Sequence, residues 1–176
     1  EKAAGHQKIT AADIVKLQKY RRIIFVSGTD SARGPIAAEL LRNQDLEQEY
    51  VVDSRGMVVL FPEPVNQKAE AVMRSVGMTM ETHISQQFEG ENILDDTLVL
   101  TMEESQKDKL RSEYENIRNI YTLNEFTEDT TEIPNPYGKP LTAYGECLEV
   151  MEKLIAELAE KLNLSAEGEK EWGKYM

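Results

Sequence analysis

The chain has 176 residues, of which 40% are hydrophobic and 30% are charged, a composition typical of one globular domain rather than of a disordered chain. Its net charge of −12 disfavours binding to nucleic acids, anionic lipid surfaces and polyanionic substrates. A single cysteine, Cys147, excludes an internal disulfide and a cysteine-based zinc site and is compatible with a reducing compartment.

The first predicted element is a short amphipathic helix at residues 10–19, which has Thr10 as its N-cap. We interpret residues 1–20 as an N-terminal extension that carries this helix. The continuous apolar run at residues 23–26, Ile-Ile-Phe-Val, predicts a parallel strand that is buried on both faces.

Strands and helices then alternate along the chain. The loop at residues 27–33 leads into a helix predicted at residues 34–43, where Pro35 suits the first turn. Further strands are predicted at 50–53, 97–102 and 117–123, and further helices at 64–76, 103–114 and about 142–162. This alternation predicts an α/β domain with a four-stranded parallel sheet flanked by helices. Residues 165–176 are interpreted as a polar, mobile tail.

The loop at residues 27–33 is the segment that indicates chemistry. A loop that leaves a strand and enters a helix gathers backbone N–H groups at the positive end of the helix dipole, which favours an anion such as phosphate or sulfate. Arg33 can add a bidentate clamp on the anion's oxygens. The loop alone also allows a simpler interpretation, in which Gly28 and Gly34 form a tight turn and Arg33 is a surface cation.

Residues 21–164 resemble the low-molecular-weight protein-tyrosine phosphatase family. The family signature is a cysteine, five residues, an arginine and Ser/Thr-Pro after an apolar first strand, and here that frame holds Ser27, residues 28–32, Arg33 and Gly34-Pro35. Four further segments are similar in order: VDSRG at 52–56, THISQQF at 82–88, DDTLVLTMEESQKDKL at 95–110 and IPNPYGKPLTAYGECLEVMEKLIAEL at 133–158. The resemblance implies a phosphotyrosine protein phosphatase I-like fold.

The resemblance also implies roles for individual residues. Ser27 stands at the position of the nucleophilic cysteine, Arg33 is the phosphate clamp, and Asn135 stands at the position of the aspartic general acid. The residues expected to bind phosphate are Gly28, Thr29, Asp30, Ser31, Ala32 and Arg33. Ser54 and His83 would support the loop, and Tyr137 would form a wall of the pocket.

Three departures from the family pattern weaken catalysis. Ser27 cannot form a thiolate and needs an adjacent base to become nucleophilic, and Asn135 cannot donate a proton as an acid does. Gly34 lacks the hydroxyl that supports the thiolate in the family. We therefore expect a catalytically impaired member that holds a phosphate group, or a protein partner such as a phosphoprotein, at its former active-site loop.

Two alternatives stay open on the sequence alone. A weakly active phosphomonoester or protein phosphatase could use Ser27 with Asp30 as its base, or the chain could be an engineered inactive form of a true phosphatase. Asp30 can face the anion site, where its carboxylate would repel phosphate. It can also face away and take hydrogen bonds from the loop or His83, as an asparagine does in the family.

Other residues suggest no further site. Two widely separated histidines predict no metal site, and we expect no cofactor. Cys147 is interpreted as a small, partly buried apolar residue. The acidic residues Glu125, Glu128, Asp129 and Glu132 are interpreted either as a solvated loop, which is usual for a run of charges, or as a negative rim of the pocket. No apolar run approaches the roughly 20 residues of a membrane-spanning helix. Together with the acidic net charge and the single cysteine, this predicts a cytoplasmic protein that binds neither membranes nor nucleic acids.

Overall fold

The computed structural model describes the backbone of residues 20–173 and the side chains of residues 20–164. The helix predicted at residues 10–19 and nearly all of the N-terminal extension lie outside the described residues, as do residues 174–176.

Four parallel strands form one sheet: β1 (Arg22–Ser27), β2 (Val51–Gly56), β3 (Thr97–Thr101) and β4 (Ile120–Thr122). Their order in the sheet is β2-β1-β3-β4, and all three pairings are parallel. The predicted four-stranded parallel sheet is confirmed. Because β1 lies between β2 and β3, the connections on its two sides diverge at its carboxyl end, where open α/β sheets bind ligands.

Within residues 20–173, five α-helices flank the sheet: α1 (Arg33–Arg42), α2 (Gln67–Ser75), α3 (Glu104–Glu113), α4 (Leu123–Thr127) and α5 (Leu141–Gly173). A 3-10 turn spans Gly90–Asn92. Helix α2 begins three residues later than predicted because the Asn66 side chain accepts hydrogen bonds from the N–H groups of Lys68 and Ala69 and so caps it. The strand predicted at 117–123 begins three residues later, at Ile120, and ends one residue earlier because Thr122 caps the short helix α4.

Helix α5 carries the predicted apolar stripe and is longer than predicted. The side chains of Tyr144, Leu148, Met151, Ile155, Leu158 and Leu162 are all at most 4% exposed. The helix continues past Leu162 to Gly173 and so includes residues 165–173 of the segment interpreted as a mobile tail. No proline interrupts residues 163–173, and most of them are good helix formers.

The core occupies both faces of the sheet. Ile23 and Phe25 of β1 pack into a large cluster with residues of α1, α2 and α5, whereas Ile24 and Val26 pack with Phe88 and with residues of β3, β4 and α3. The expectation that β1 is buried on both faces is confirmed, and Ser27 therefore lies at the centre of the sheet's carboxyl edge. None of the described helices is long and apolar enough to cross a membrane.

Candidate anion-binding site

The loop from Ser27 to Ala32 joins β1 to α1 with its carbonyl groups turned towards neighbouring segments. The backbone pairs are Met57 N–H to Ser27 O at 2.9 Å, Val58 N–H to Gly28 O at 3.0 Å and Asn66 N–H to Ser31 O at 2.8 Å. In contrast, the N–H groups of residues 28–32 donate to no acceptor in the described part of the chain. No side chain caps the N-terminus of α1 either, so the loop presents unpaired donors, as an anion site requires.

A cavity of about 250 Å³ opens in front of these donors. It brings Asn135 to the loop that holds Ser27 and Arg33, although more than 100 residues separate them in sequence. The lining residues are Ser27, Gly28, Thr29, Ser31, Ala32, Arg33, Asn135, Tyr137 and Tyr144. The cavity thus contains every residue predicted to bind the phosphate or react with it, except Asp30.

Ser27 is 3% exposed, and its Oγ has no hydrogen-bond partner among the described residues. A buried hydroxyl without a partner costs free energy unless a ligand or water satisfies it. The same observation bears on catalysis, because no described carboxylate or imidazole lies within hydrogen-bond distance of Oγ to remove its proton.

Arg33 is 6% exposed and forms an ion pair with Glu103, which the sequence interpretation did not include. Glu103 follows β3 and caps α3, where Gln106 bonds back to it. The carboxyl ends of adjacent parallel strands meet at one sheet edge, and Glu103 follows the carboxyl end of β3. This position in the sequence could have identified Glu103 as a neighbour of the loop. The ion pair holds the guanidinium at the end of the loop, and its other N–H groups donate to no acceptor among the described residues.

Two tyrosines contribute to the cavity in different ways. Tyr137 is 78% exposed and follows Asn135, whose Oδ1 accepts a 3.2 Å hydrogen bond from the Tyr137 N–H group. Tyr144 was assigned only to the core stripe of α5, yet it is both buried and part of the cavity lining. Lys68 Nζ lies 5.9 Å from the centre of the Tyr144 ring.

Asp30 faces away from the cavity. It has a positive φ of 56°, which Asp tolerates better than most residues, and its side chain is completely buried. Its Oδ2 accepts a 3.0 Å hydrogen bond from the Gln86 N–H group. This is the second of the two orientations considered from the sequence, and it places the carboxylate beyond hydrogen-bond reach of Ser27 Oγ.

His83 and Ser54 both act on Asp30. His83 Nε2 lies 2.8 Å from the Asp30 backbone oxygen and 3.6 Å from its Oδ2. Burial raises the pKa of Asp30, whereas the Ser54 hydroxyl, the Gln86 N–H group and the positive charges of His83 and Arg55 oppose that rise. The two residues predicted to support the loop are therefore positioned to do so through Asp30.

Gly34 is in close contact with Ser27. A Cβ atom added at Gly34 would lie 2.8 Å from Ser27 Oγ and 3.4 Å from Ser27 Cβ. The Ser27 hydroxyl therefore lies where a larger residue at position 34 would crowd it. Gly34 also lacks the hydroxyl that the family's Ser/Thr has at this position.

The acidic residues predicted to line the rim lie elsewhere. Glu125 pairs with Lys107, Glu128 with Lys161 and Asp129 with Lys153. Neither these three nor Glu132 lines the cavity. The interpretation of these residues as a negative rim is therefore wrong, because lysines on α3 and α5 take up three of the four charges.

Cys147 lies in the core rather than in the site. It is free and completely buried, and burial raises the pKa of its thiol to about 11, which disfavours the nucleophilic thiolate. Among the described residues, no group of three or more His, Cys, Asp and Glu side chains could hold a metal ion.

The segment at residues 57–61 lies beside the loop and exposes apolar side chains. Its first two N–H groups bond to the Ser27 and Gly28 carbonyls, and it continues into Leu60 and Phe61, which are 81% and 72% exposed. Adjacent exposed apolar side chains of this size are typical of an interaction surface. The sequence interpretation missed this segment, although the run MVVLF at 57–61 is its signal.

Sequence comparisons find related proteins of known family. Residues 22–168 match the sequence profile of the family described as low molecular weight phosphotyrosine protein phosphatase. A protein-arginine-phosphatase from Geobacillus stearothermophilus is 32% identical over 80% of this chain and 95% of the relative. The low molecular weight protein-tyrosine-phosphatase PtpB of Staphylococcus epidermidis is 28% identical over 70% of this chain and 86% of the relative.

Solved structures are similar in fold as well. The YwlE arginine phosphatase from Geobacillus stearothermophilus matches with a TM-score of 0.75 and 31% identity, covering 81% of this chain and 92% of its own. The tyrosine phosphatase Wzb from Escherichia coli K30, solved in complex with sulphate, matches with a TM-score of 0.74 at 24% identity and covers 81% of this chain and 99% of its own.

Proposed function

The chain belongs to the low molecular weight phosphotyrosine protein phosphatase family, and from this premise we propose that it is a non-catalytic member that binds phosphate groups at its former active-site loop. The residues that hold the anion are the loop Gly28–Ala32 and Arg33. Ser27 and Asn135 occupy the positions of the nucleophile and the general acid.

The unpaired N–H groups of residues 28–32 are the observation that carries this proposal. Four of these five residues, all except Asp30, line one cavity together with Arg33, which Glu103 holds in place. Backbone donors at a helix N-terminus and a planar guanidinium are the groups that bind phosphate and sulfate in proteins. The loop therefore keeps the means of binding an anion.

The means of cleaving a phosphate ester are weaker. Ser27 Oγ has no base within hydrogen-bond distance, and the nearest acidic residue in the loop, Asp30, is held by Gln86 on the other side. Asn135 has no proton to give to a leaving group, a loss that typically costs about 10² to 10⁴ in rate. The position of Asp30 argues against the alternative in which it activates Ser27.

We infer that the ligand is a phosphorylated side chain of a protein partner. The relatives are named for activity on protein arginine and protein tyrosine phosphates. The exposed Leu60 and Phe61 beside the loop would contact the residues that flank the phosphate group.

Residues 21–164 form the binding domain in this proposal, with the N-terminal extension and the C-terminal segment outside it. The free Cys147 suits a cytoplasmic location.

The experiment measures sulfate binding and phosphatase activity on the same preparations. We expect sulfate to bind the unmodified chain and Arg33→Ala to weaken binding about ten- to a hundredfold, because charge-assisted hydrogen bonds are lost. Arg74→Ala is the matched control: this arginine lies on α2, is 59% exposed and pairs with Glu70 and Glu81, so sulfate binding should not change.

Activity is measured with p-nitrophenyl phosphate and phosphoarginine. We expect no turnover above background from the unmodified chain and measurable turnover from the double variant Ser27→Cys with Asn135→Asp. Turnover by the unmodified chain that Ser27→Ala abolishes would show a weak serine-dependent phosphatase instead. No sulfate binding, with a silent Arg33→Ala, would show that the loop no longer binds anions.

A further inference from the structure

Asp30 is an unusual residue to find inside an anion-binding loop. Its side chain is completely buried, and Oδ1 has no hydrogen-bond partner among the described residues. The residues on both sides of Asp30, Thr29 and Ser31, line the cavity, and their N–H groups donate to no acceptor among the described residues. When Asp30 is ionised, its negative charge is carried by the same loop that would bind a negatively charged ligand.

The neighbours of Asp30 offset its charge only in part. Oδ2 accepts one hydrogen bond, from Gln86, and the Ser54 hydroxyl also favours the charged form. The charged groups that act on it are His83, from the segment before Gln86, and Arg55, from β2. Burial outweighs these contributions and raises the pKa of Asp30 above its ordinary value of 3.8.

We propose that Asp30 couples anion binding at the loop to the uptake of one proton, so that the loop binds anions more tightly as the pH falls. This inference rests on the proposed function, because it needs an anion in the loop. The new property is specific to an aspartate: an asparagine of the same shape would take the same hydrogen bond from Gln86 and carry no charge.

The sign follows from the repulsion between like charges. An anion in front of the loop disfavours the charged carboxylate behind it, so binding shifts Asp30 towards its protonated form. The anion then binds best where Asp30 is already protonated, and its affinity falls as the pH rises through the range in which the free protein loses that proton. We expect the repulsion between the two like charges held by one loop to change the affinity about ten- to a hundredfold in total.

Protonation of His83 would change the affinity in the same direction, because an added positive charge attracts the anion. The variant Asp30→Asn separates the two residues, since it leaves His83 in place. Any pH dependence that survives in Asp30→Asn belongs to His83 or to another group.

The test is calorimetric titration with sulfate, which keeps its charge between about pH 5 and pH 8, at constant ionic strength. For the unmodified chain, we expect affinity to fall as the pH rises through the titration of Asp30, by about ten- to a hundredfold in total. For Asp30→Asn, we expect tighter binding at the upper end and at most a few-fold change across the range. Titration in two buffers of different protonation enthalpy counts the protons taken up, which should reach a maximum of about 0.5 to 0.8 per sulfate for the unmodified chain, as a total affinity change of ten- to a hundredfold requires.

The outcomes distinguish this inference from the proposed function. Sulfate binding that is independent of pH and without proton uptake, or a pH dependence unchanged in Asp30→Asn, would overturn the coupling and leave the anion site intact. Absence of sulfate binding at every pH would overturn both. Because proton uptake is measured on the unmodified chain, the test does not depend on the stability of the variant.

Discussion

The two faces of the anion loop differ in how their polar groups are satisfied. The front face, formed by Ser27, the N–H groups of residues 28–32 and Arg33, holds unpaired donors and a hydroxyl without a partner. On the back face, Gln86 and His83 bond to Asp30, while Gly56 lets β2 lie close to the loop. The back is built to fix the loop's shape, and the front is left open for a ligand.

The comparison also locates the departures from the family pattern. Ser27, Gly34 and Asn135 are all at the front, where chemistry would occur, whereas Ser54, His83 and Gly56 keep the back as the family resemblance implies. Asp30 is the departure at the back. The departures therefore fall mainly where chemistry would occur, while the side chains that hold the shape of the loop are present.

The largest effect is expected from Gly56→Ala, which disturbs the back. A Cβ atom there would lie 2.5 Å from Val59 Cγ2, 3.0 Å from the Thr29 carbonyl carbon and 3.1 Å from the Asp30 nitrogen. Since two of these atoms are loop backbone, the loop must shift, and we expect a loss of about 3 kcal/mol in the free energy of unfolding together with weaker sulfate binding. Urea unfolding and sulfate titration measure the two effects.

Gly145→Ala is the control for this substitution. Gly145 lies on α5 and nothing lies within 4 Å of a Cβ atom added there, so an alanine should stabilise the helix by roughly 0.5 to 1 kcal/mol. Equal effects of the two substitutions would contradict the tight fit between β2 and the loop.

A medium effect is expected from Gly34→Ala, which tests whether the front is packed around the Ser27 hydroxyl. The added Cβ would crowd Ser27 Oγ at 2.8 Å, so we expect a cost of about 1 to 2 kcal/mol in unfolding free energy. In a Ser27→Ala background the nearest atom is gone and the cost should fall to less than about half of that value. A double-mutant cycle of urea unfolding measures this coupling, and additive effects would show that the two residues are independent.

The smallest effect is expected from Asp30→Asn, because a buried, ionised Asp30 lowers the free energy of unfolding. Burial raises the pKa of Asp30 above 3.8, so the folded state keeps its proton to a higher pH than the unfolded state does. Stability is therefore present at low pH and is lost as the pH rises through this range. Asp30→Asn lacks this loss, and we expect its Tm at neutral pH to exceed that of the unmodified chain by about 2 to 4 °C, which corresponds to about 1 kcal/mol.

Thermal scans at several pH values test this expectation. The advantage of Asp30→Asn should shrink towards zero as the pH approaches the ordinary carboxyl value. A constant difference at every pH would show that the effect arises from packing rather than from the charge of Asp30.

Much of the architecture could be predicted from the sequence. The apolar run at residues 23–26 predicted a strand buried on both faces, and the stripe on α5 predicted its core-facing side, since both patterns follow from the local geometry of strands and helices. The start of α2 and the end of β4 were less accurate, because the side chains of Asn66 and Thr122 cap helices there through hydrogen bonds that compete with the hydrophobic pattern.

The sequence by itself determined the frame of the anion loop, from Ser27 to Arg33, and the chemical limits of Ser27 and Asn135, because those depend on residue type and spacing. Only the tertiary structure decided which way Asp30 faces, that Glu103 holds Arg33, that Tyr144 reaches the cavity and that lysines take up the charges of Glu125, Glu128 and Asp129. These contacts join residues far apart in the chain, and their geometry depends on how the strands and helices pack rather than on any local pattern. The packing shows that Asp30 is buried behind a loop that lacks the catalytic groups. The proposal that this aspartate sets how tightly an anion binds depends on that position.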